Sequence, residues 1–223
     1  VTIKEDVKKT ENGRDVEIIL DGVNADTSDT KQSTVTVGEG ADVDLTVKDS
    51  TLTTGGNGID IGANLDSKEE HKDTNVDLTL DNTDINLTQN NTAGIDVREG
   101  SDVDLTLKGD NTINGAEALE KIEADAAKAK KEGKAPVSSN VEGVRVSGED
   151  AGDSSDNDSK GAELNIHGRE DEEDEEREEE KEGSLTIENT SSGVVMASGA
   201  QVTLDKGADV TVKNSKTTNS TQS

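Results

Sequence analysis

Three aspartates recur in one sequence setting. Asp44, Asp77 and Asp104 each hold the second position of a Val-Asp-Leu-Thr-Val or Val-Asp-Leu-Thr-Leu pentapeptide. If the pentapeptides stack as neighbouring strands, the carboxylates form a column with rungs about 4.8 Å apart. Glu163 is expected to continue that column. Unrelieved, such a column repels itself and raises its carboxylate pKa values. Calcium shared between the carboxylates would relieve it, because a hard cation takes oxygen ligands. The plainer expectation is a solvated acidic face screened by salt; a calcium site at Asp44, Asp77 and Asp104 is the alternative. A calcium roll would need repeated Gly-Gly-x-Gly-x-Asp nonapeptides. The nearest stretch, Gly55-Gly56-Asn57-Gly58-Ile59-Asp60, occurs once and reads as a turn.

A second outward column, Thr46, Thr79 and Thr106, runs beside the acids. Ice-binding solenoids need paired threonine files, and aspartate occupies the second file here, so the threonines are read as ordinary β-branched strand residues. Catalytic chemistry has little support. His71 and His167 lie at or beside insertions, and neither shares a motif with a nucleophile. Carboxylates are too abundant for any one pair to mark a glycosidase. Arg145 shares an outward column with Asp60 and Asp96. That invites comparison with lyases using an arginine base beside calcium, but a cross-coil ion pair to Asp96 is the simpler expectation.

The elements that would position these residues repeat. Val16 to Val43 is 27 residues, and Val76 to Val103 is 27 again; Val43 to Val76 is 33, with the excess in the polar stretch 67–72. Within a coil, Val76–Leu80, Ile85–Leu87 and Gly94–Val97 alternate apolar and polar residues, the period of a half-buried strand. Asn, Asp and Gly between them supply turns. Three strands and three turns per coil predict an all-β, right-handed parallel β-helix, or β-solenoid. About six coils begin near Val16, Val43, Val76, Val103, Ala162 and Ala200, the last incomplete. The third strand recurs at Val35–Val37, Ile59–Ile61, Ile95–Val97, Val144–Val146 and Val194–Met196. A single domain over 1–214 is expected, with insertions at 66–73, 115–139, 149–160 and 169–182 and a disordered tail at 215–223. The run Ala116–Gly133 is rich in helix formers, carries acids early and lysines late, and precedes Pro136. It predicts a helix packed loosely through Leu119, Ile122 and Ala126.

Composition alone would suggest disorder. The chain has no Phe, Trp, Tyr or Cys, is 27% hydrophobic and carries a formal charge of −28. A solenoid resolves the conflict, because its narrow interior is filled by aliphatic side chains stacked coil on coil. The acidic balance excludes a basic nucleic-acid footprint and attraction to anionic membranes. No apolar run approaches the ~18 residues of a membrane span, and the first residues, Val-Thr-Ile-Lys-Glu-Asp, hold no apolar signal segment. Without aromatics, any glycan contact would run through Asp, Asn and Thr hydrogen bonds.

The Val-Asp-Leu-Thr-Leu strands, Gly109-Asp110-Asn111-Thr112-Ile113, and the glycine-led strands at Gly58–Ile61 and Gly94–Val97 carry a resemblance. Over roughly residues 14–214, less the insertions, they resemble β-helix repeats of secreted and wall-anchored bacterial proteins. Those are described as adhesin-like or carbohydrate-binding, within the pectate-lyase-like superfamily. The resemblance implies a non-catalytic structural or adhesin-like solenoid, extracellular or at the cell surface. No cofactor is expected unless calcium binds. The chain would act as a monomer, with a glycan or cell-surface ligand as its partner. A calcium-dependent glycan- or ligand-binding module is the alternative. A designed chain without natural function is another, suggested by the Ala/Glu/Lys run and the acidic run at 169–182. A polysaccharide lyase or hydrolase ranks last.

Overall fold

The computed structural model describes residues 1–4, 16–65, 73–135, 137–148, 160–168, 183–205 and 207–215. The expectations for His71, Pro136, the acidic run at 169–182, and most of the polar insertions and the tail lie outside these residues. The described strands form three parallel sheets of six strands each, a parallel β-helix. The first sheet contains Val16–Asp21, Asp42–Lys48, Thr74–Asp81, Ser101–Lys108, Glu163–His167 and Gln201–Leu204. The second contains Asn24–Thr27, Thr51–Thr54, Asp84–Leu87, Asp110–Asn114, Ser184–Glu188 and Asp209–Lys213. The third contains Thr2–Ile3, Val35–Gly38, Ile59–Ala63, Thr92–Val97, Val141–Val146 and Ser192–Met196.

Each sheet stacks like on like. Ile18, Leu45, Leu78, Leu105, Ile166 and Leu204 form one inward file of the first sheet. Ala25, Leu52, Ile85, Ile113, Ile187 and Val212 form a file of the second. In the third, Ile3, Val37, Ile61, Val97, Val146 and Met196 do the same. The middle members are fully buried. Each removes an aliphatic side chain from water, about 1.5–3 kcal/mol apiece.

Turns recur with the coils as well. Gly22 (φ 63°), Asp49 (φ 47°), Asn82 (φ 50°) and Gly109 (φ 61°) hold the same corner between first and second sheets in a left-handed conformation. Residues there are Gly, Asp or Asn because these tolerate positive φ. The polar interior of that corner is satisfied across coils. The Thr83 hydroxyl donates to the Val47 carbonyl at 2.9 Å, and Asn111 Oδ1 accepts the Thr83 N–H at 2.9 Å.

At the bend leading into the third sheet, a file of glycines is required by close approach. A Cβ on Gly143 would lie 2.5 Å from the Gly193 carbonyl oxygen and 2.3 Å from Ile187 Cγ2. One on Gly94 would meet Ile113 Cγ2 at 2.5 Å and the Gly143 oxygen at 2.8 Å. Gly58 repeats the arrangement against Ile85 and the Gly94 carbonyl. The isoleucines of the second sheet fill the space that side chains on these glycines would take.

The helix spans Ala116–Lys131, interposed between the second and third sheets of one coil. Asn114 Oδ1 accepts the Ala116 N–H at 2.9 Å. Lysines lie in the last turn, and Gly133 (φ 65°) follows in a left-handed conformation. Ala118 and Ile122 are buried in the solenoid core cluster, with Leu119 packed against it. The packing stripe therefore begins at Ala118, one residue before Leu119, and Ala126 is half-buried.

Two outcomes test this arrangement. Gly143→Ala should lower stability by about 2–3 kcal/mol, since a backbone carbonyl cannot move aside as a flexible side chain can. Gly22→Asn should fall within ~0.5 kcal/mol of the parent, because the equivalent corners already carry Asp49 and Asn82. Thermal melting by circular dichroism measures both; equal melting temperatures for the two variants would contradict the close-packed glycine file. In the same assay Leu78→Asp should abolish the folded signal and Asp77→Asn should preserve it, because an unpaired carboxylate is far costlier inside the tube than outside.

Candidate functional site

The aspartate column forms as expected through its first three members. Asp44 pairs with Asp77 and Asp77 with Asp104 in the parallel register, with Glu17 one rung before. Glu163 does not continue it. Leu164 and Ile166 stack inward on Val103 and Leu105, so Asn165 takes the rung after Asp104, and Glu163 stands opposite Asp102. The column thus ends in a neutral amide. Asn165 Nδ2 donates to Asp104 Oδ1 at 3.1 Å, and His167 Nε2 lies 3.3 Å from the same oxygen. His167 Nδ1 is 2.7 Å from Asp205 Oδ2, so the imidazole bridges two carboxylates. It also extends the threonine file, standing opposite Thr106.

Two more files temper the acidity of this face. Asp21, Lys48, Asp81 and Lys108 alternate in sign up the stack. Asn75 separates Asp42 from Asp102. Asp102, facing Glu163, is less relieved. Partial burial, then Glu163 and Asp104, hold its carboxyl above the ordinary value of 3.8. Among the described residues, no group of three or more His, Asp or Glu side chains is placed to hold a metal ion.

The densest constellation lies on the outer face of the third sheet. Asp60, Asp96 and Arg145 occupy successive rungs of one outward file. Asp60 and Asp96 are only 5% and 4% exposed, so their charges require partners. Arg98, two residues beyond Asp96 on the same face, reaches back one coil. Its Nε and Nη2 donate to the two Asp60 oxygens at 2.6 and 2.9 Å, a forked pair. The Ser33 hydroxyl adds a third donor to Asp60 at 3.2 Å. Arg145 donates to Asp96 Oδ2 at 3.2 Å, the cross-coil ion pair expected from sequence, and also to Glu142 on its own strand. Asn57, inside the single Gly-Gly-Asn-Gly turn, donates to Asp96 Oδ2 at 2.7 Å while its Oδ1 accepts the Ala93 N–H at 2.9 Å.

Asp96 Oδ1 is buried without a hydrogen-bond partner. Burial raises the Asp96 pKa above its ordinary value, and Asp60 adds to the rise while Arg145 opposes it. The hydrogen bonds that Arg98 donates to Asp60 hold its guanidinium more firmly protonated. A cleft of about 480 Å3 opens beside the cluster, lined by Glu39, Asn57, Asn91, Asp96, Arg98 and Arg145 among others. Chemically, this is a network of three carboxylates and two guanidiniums, one negative charge in excess. Asp96 is the carboxyl in it whose burial favours the protonated form.

Arg98, Glu142 and Asn57 were not singled out from sequence. The two-residue step from Asp96 to Arg98 places both on one strand face, and that signal was available. The reach of Arg98 to the preceding coil was not.

The raised carboxyls carry a sign. Asp96 and Asp102 bind protons more readily folded than unfolded, so lowering the pH through their raised values adds stability, and raising it above them removes that gain. The melting temperature should therefore climb as the pH is lowered through the raised values of Asp96 and Asp102. Asp102→Asn should melt on the order of 1 °C higher than the parent at neutral pH, as expected for removing an exposed like-charge contact, and should climb less on acidification. A parent melting temperature that falls monotonically from neutral pH downward would refute this. No family model, curated protein or solved structure matches the chain.

Proposed function

We propose that this chain is a non-catalytic structural module, an acidic β-solenoid that serves as a rigid adhesin-like spacer of a secreted or surface protein. The observation that supports it most is how the third-sheet charges are used. Arg98 is paired with Asp60 and Arg145 with Asp96 across coils, and Arg145 is also paired with Glu142 on its own strand. Such cross-coil pairs, with the parallel pairing of all three sheets, stiffen the stack rather than expose reactive groups. Six rungs at about 4.8 Å give a rod segment roughly 24 Å from first rung to last.

One observation favours a second reading. Asp44, Asp77 and Asp104 stand in strict register on successive rungs, an oxygen-rich surface suited to a calcium-dependent glycan or ligand contact. Melting the protein across a calcium titration separates the two. A spacer should shift by less than ~1 °C at millimolar calcium, the scale of screening alone. A calcium module should rise several degrees at sub-millimolar calcium and lose that rise in Asp77→Ala. Turnover of any acidic polysaccharide to unsaturated, ultraviolet-absorbing products would overturn both.

A further inference from the structure

A carboxylate withdrawn from water needs hydrogen-bond donors at its oxygens, and one oxygen of the third-sheet cluster has none. Asp96 is 4% exposed and stands between Asp60 and Arg145 in the stack. Asn57 and Arg145 both donate to its Oδ2, whereas Oδ1 is buried without a hydrogen-bond partner. A proton on Oδ1 would cancel the charge, but the resulting hydroxyl would have no acceptor in reach. What the cluster lacks is a donor from outside it. Its charge agrees: Asp60, Asp96 and Glu142 against Arg98 and Arg145 leave one negative charge in excess.

The cleft beside Asp96 narrows the class of donor. Its volume of about 480 Å3 suits a small molecule. Every side chain that lines it is polar, so an apolar or aryl ligand would bury nothing against its walls. Glu39, Asp96 and Glu99 outnumber Arg98 and Arg145 there, which disfavours an anion. Among the described residues, no three acidic or His side chains are placed to hold a metal ion. A primary ammonium group meets both needs, with one positive charge and three N–H donors. One donor suits Asp96 Oδ1. Asn64, Asn91 and Ser147 bring side-chain oxygens to the walls for the other two. Oδ1 is covered, so entry requires wall side chains to rotate, and Asn64 and Asn91 are exposed enough to allow it.

We propose that the third-sheet cleft binds a small primary ammonium compound, whose –NH3+ group donates to Asp96 Oδ1 and to side-chain oxygens among Asn64, Asn91 and Ser147. The bound cation gives Asp96 a partner on each oxygen and brings the cluster to neutrality. It binds only where the coils of Asp60, Asp96 and Arg145 are stacked, so it stabilises the folded chain. This goes beyond the spacer reading, which gives the third-sheet face no ligand. Amine binding decides the one, and the calcium and polysaccharide tests decide the other.

Titration of the full chain with ethylammonium chloride, followed by backbone amide NMR and by melting temperature, tests it. A chain of charge −28 gathers any cation weakly, so tetramethylammonium and potassium chlorides at equal ionic strength serve as controls. Tetramethylammonium carries the same charge without an N–H. Ethylammonium should saturably shift the amide signals of Asn57, Asp96 and Ser147 and raise the melting temperature beyond either control. Asp96→Asn should weaken its binding at least about tenfold, the scale of one charge-assisted hydrogen bond. Asn64→Ala combined with Ser147→Ala should weaken it a few-fold while leaving the circular dichroism spectrum unchanged. Asp104→Asn, on the first-sheet face, should leave it unaltered. Absence of a saturable ethylammonium shift, or equal effects from tetramethylammonium or potassium, would overturn the proposal. So would a folded Asp96→Asn variant that binds like the parent; if that variant does not fold, parent-like binding by the Asn64→Ala, Ser147→Ala chain overturns it instead.

Discussion

Parallel coils separated by one strand spacing place each residue on its counterpart in the next turn, and the rest of this molecule follows from that stacking. Inside the tube it is favourable. Leu45 on Leu78 on Leu105 makes a continuous aliphatic file with no polar atom to satisfy, so a chain without one aromatic can still close a core. The same constraint sets the tube's width. Where the second sheet bends into the third, Ile85, Ile113 and Ile187 reach the opposite backbone, and only Gly58, Gly94 and Gly143 leave them room. In three successive coils that corner of the core is thus filled by isoleucine against glycine.

Outside the tube the same stacking is unfavourable, because carboxylate is set on carboxylate. Two like charges 4.8 Å apart cost roughly 1 kcal/mol in bulk water, whereas each inward aliphatic residue contributes about 1.5–3 kcal/mol. Burial wins the comparison, so the acidic face can be carried. The chain still reduces the cost. It alternates Asp21, Lys48, Asp81 and Lys108, sets Asn75 between Asp42 and Asp102, and ends the Asp44 column at Asn165 and His167. On the third sheet, where Asp60 and Asp96 are withdrawn from water, exposed-face remedies are not enough, and arginines bridge them.

Much of the architecture was legible because the period-two alternation and the coil-length spacing are both written in residue type. The placement of the third strand from Val35 to Met196, and the inward Val76, Leu78 and Leu80, needed nothing more. Register after an insertion was not legible. A two-residue slip keeps every side chain on the same face, so Ala162 and Leu164 are equally acceptable partners for Val103 by pattern. In the structure Leu164 stacks on Val103, so Glu163 stands two residues along the strand from the position that pattern implied. The third-sheet cluster was half legible for a related reason. Asp60, Asp96 and Arg145 share a file that pattern reveals, whereas Arg98 finds Asp60 by spanning a rung with a long side chain, and no local periodicity records that reach.

These differences bear on where function can sit. In a solenoid each coil contacts chiefly its neighbours, so stability is close to a sum over coils and their interfaces, and an insertion such as the helix Ala116–Lys131 can enter at a turn while Val141–Val146 rejoins the register below Thr92–Val97. The first-sheet face follows that logic: its aspartates and threonines are surface choices, and exchanging them alters charge more than fold. The third-sheet face does not. Its outward Asp60 and Asp96 are as buried as many core residues, and removing Arg98 or Arg145 would leave a carboxylate stranded, which costs several kcal/mol. A face whose charges are needed to hold adjacent coils together is constrained in what else it can bind. The first-sheet face, with Asp77 and Asp104 exposed, is the surface on which this fold has more room to place a partner.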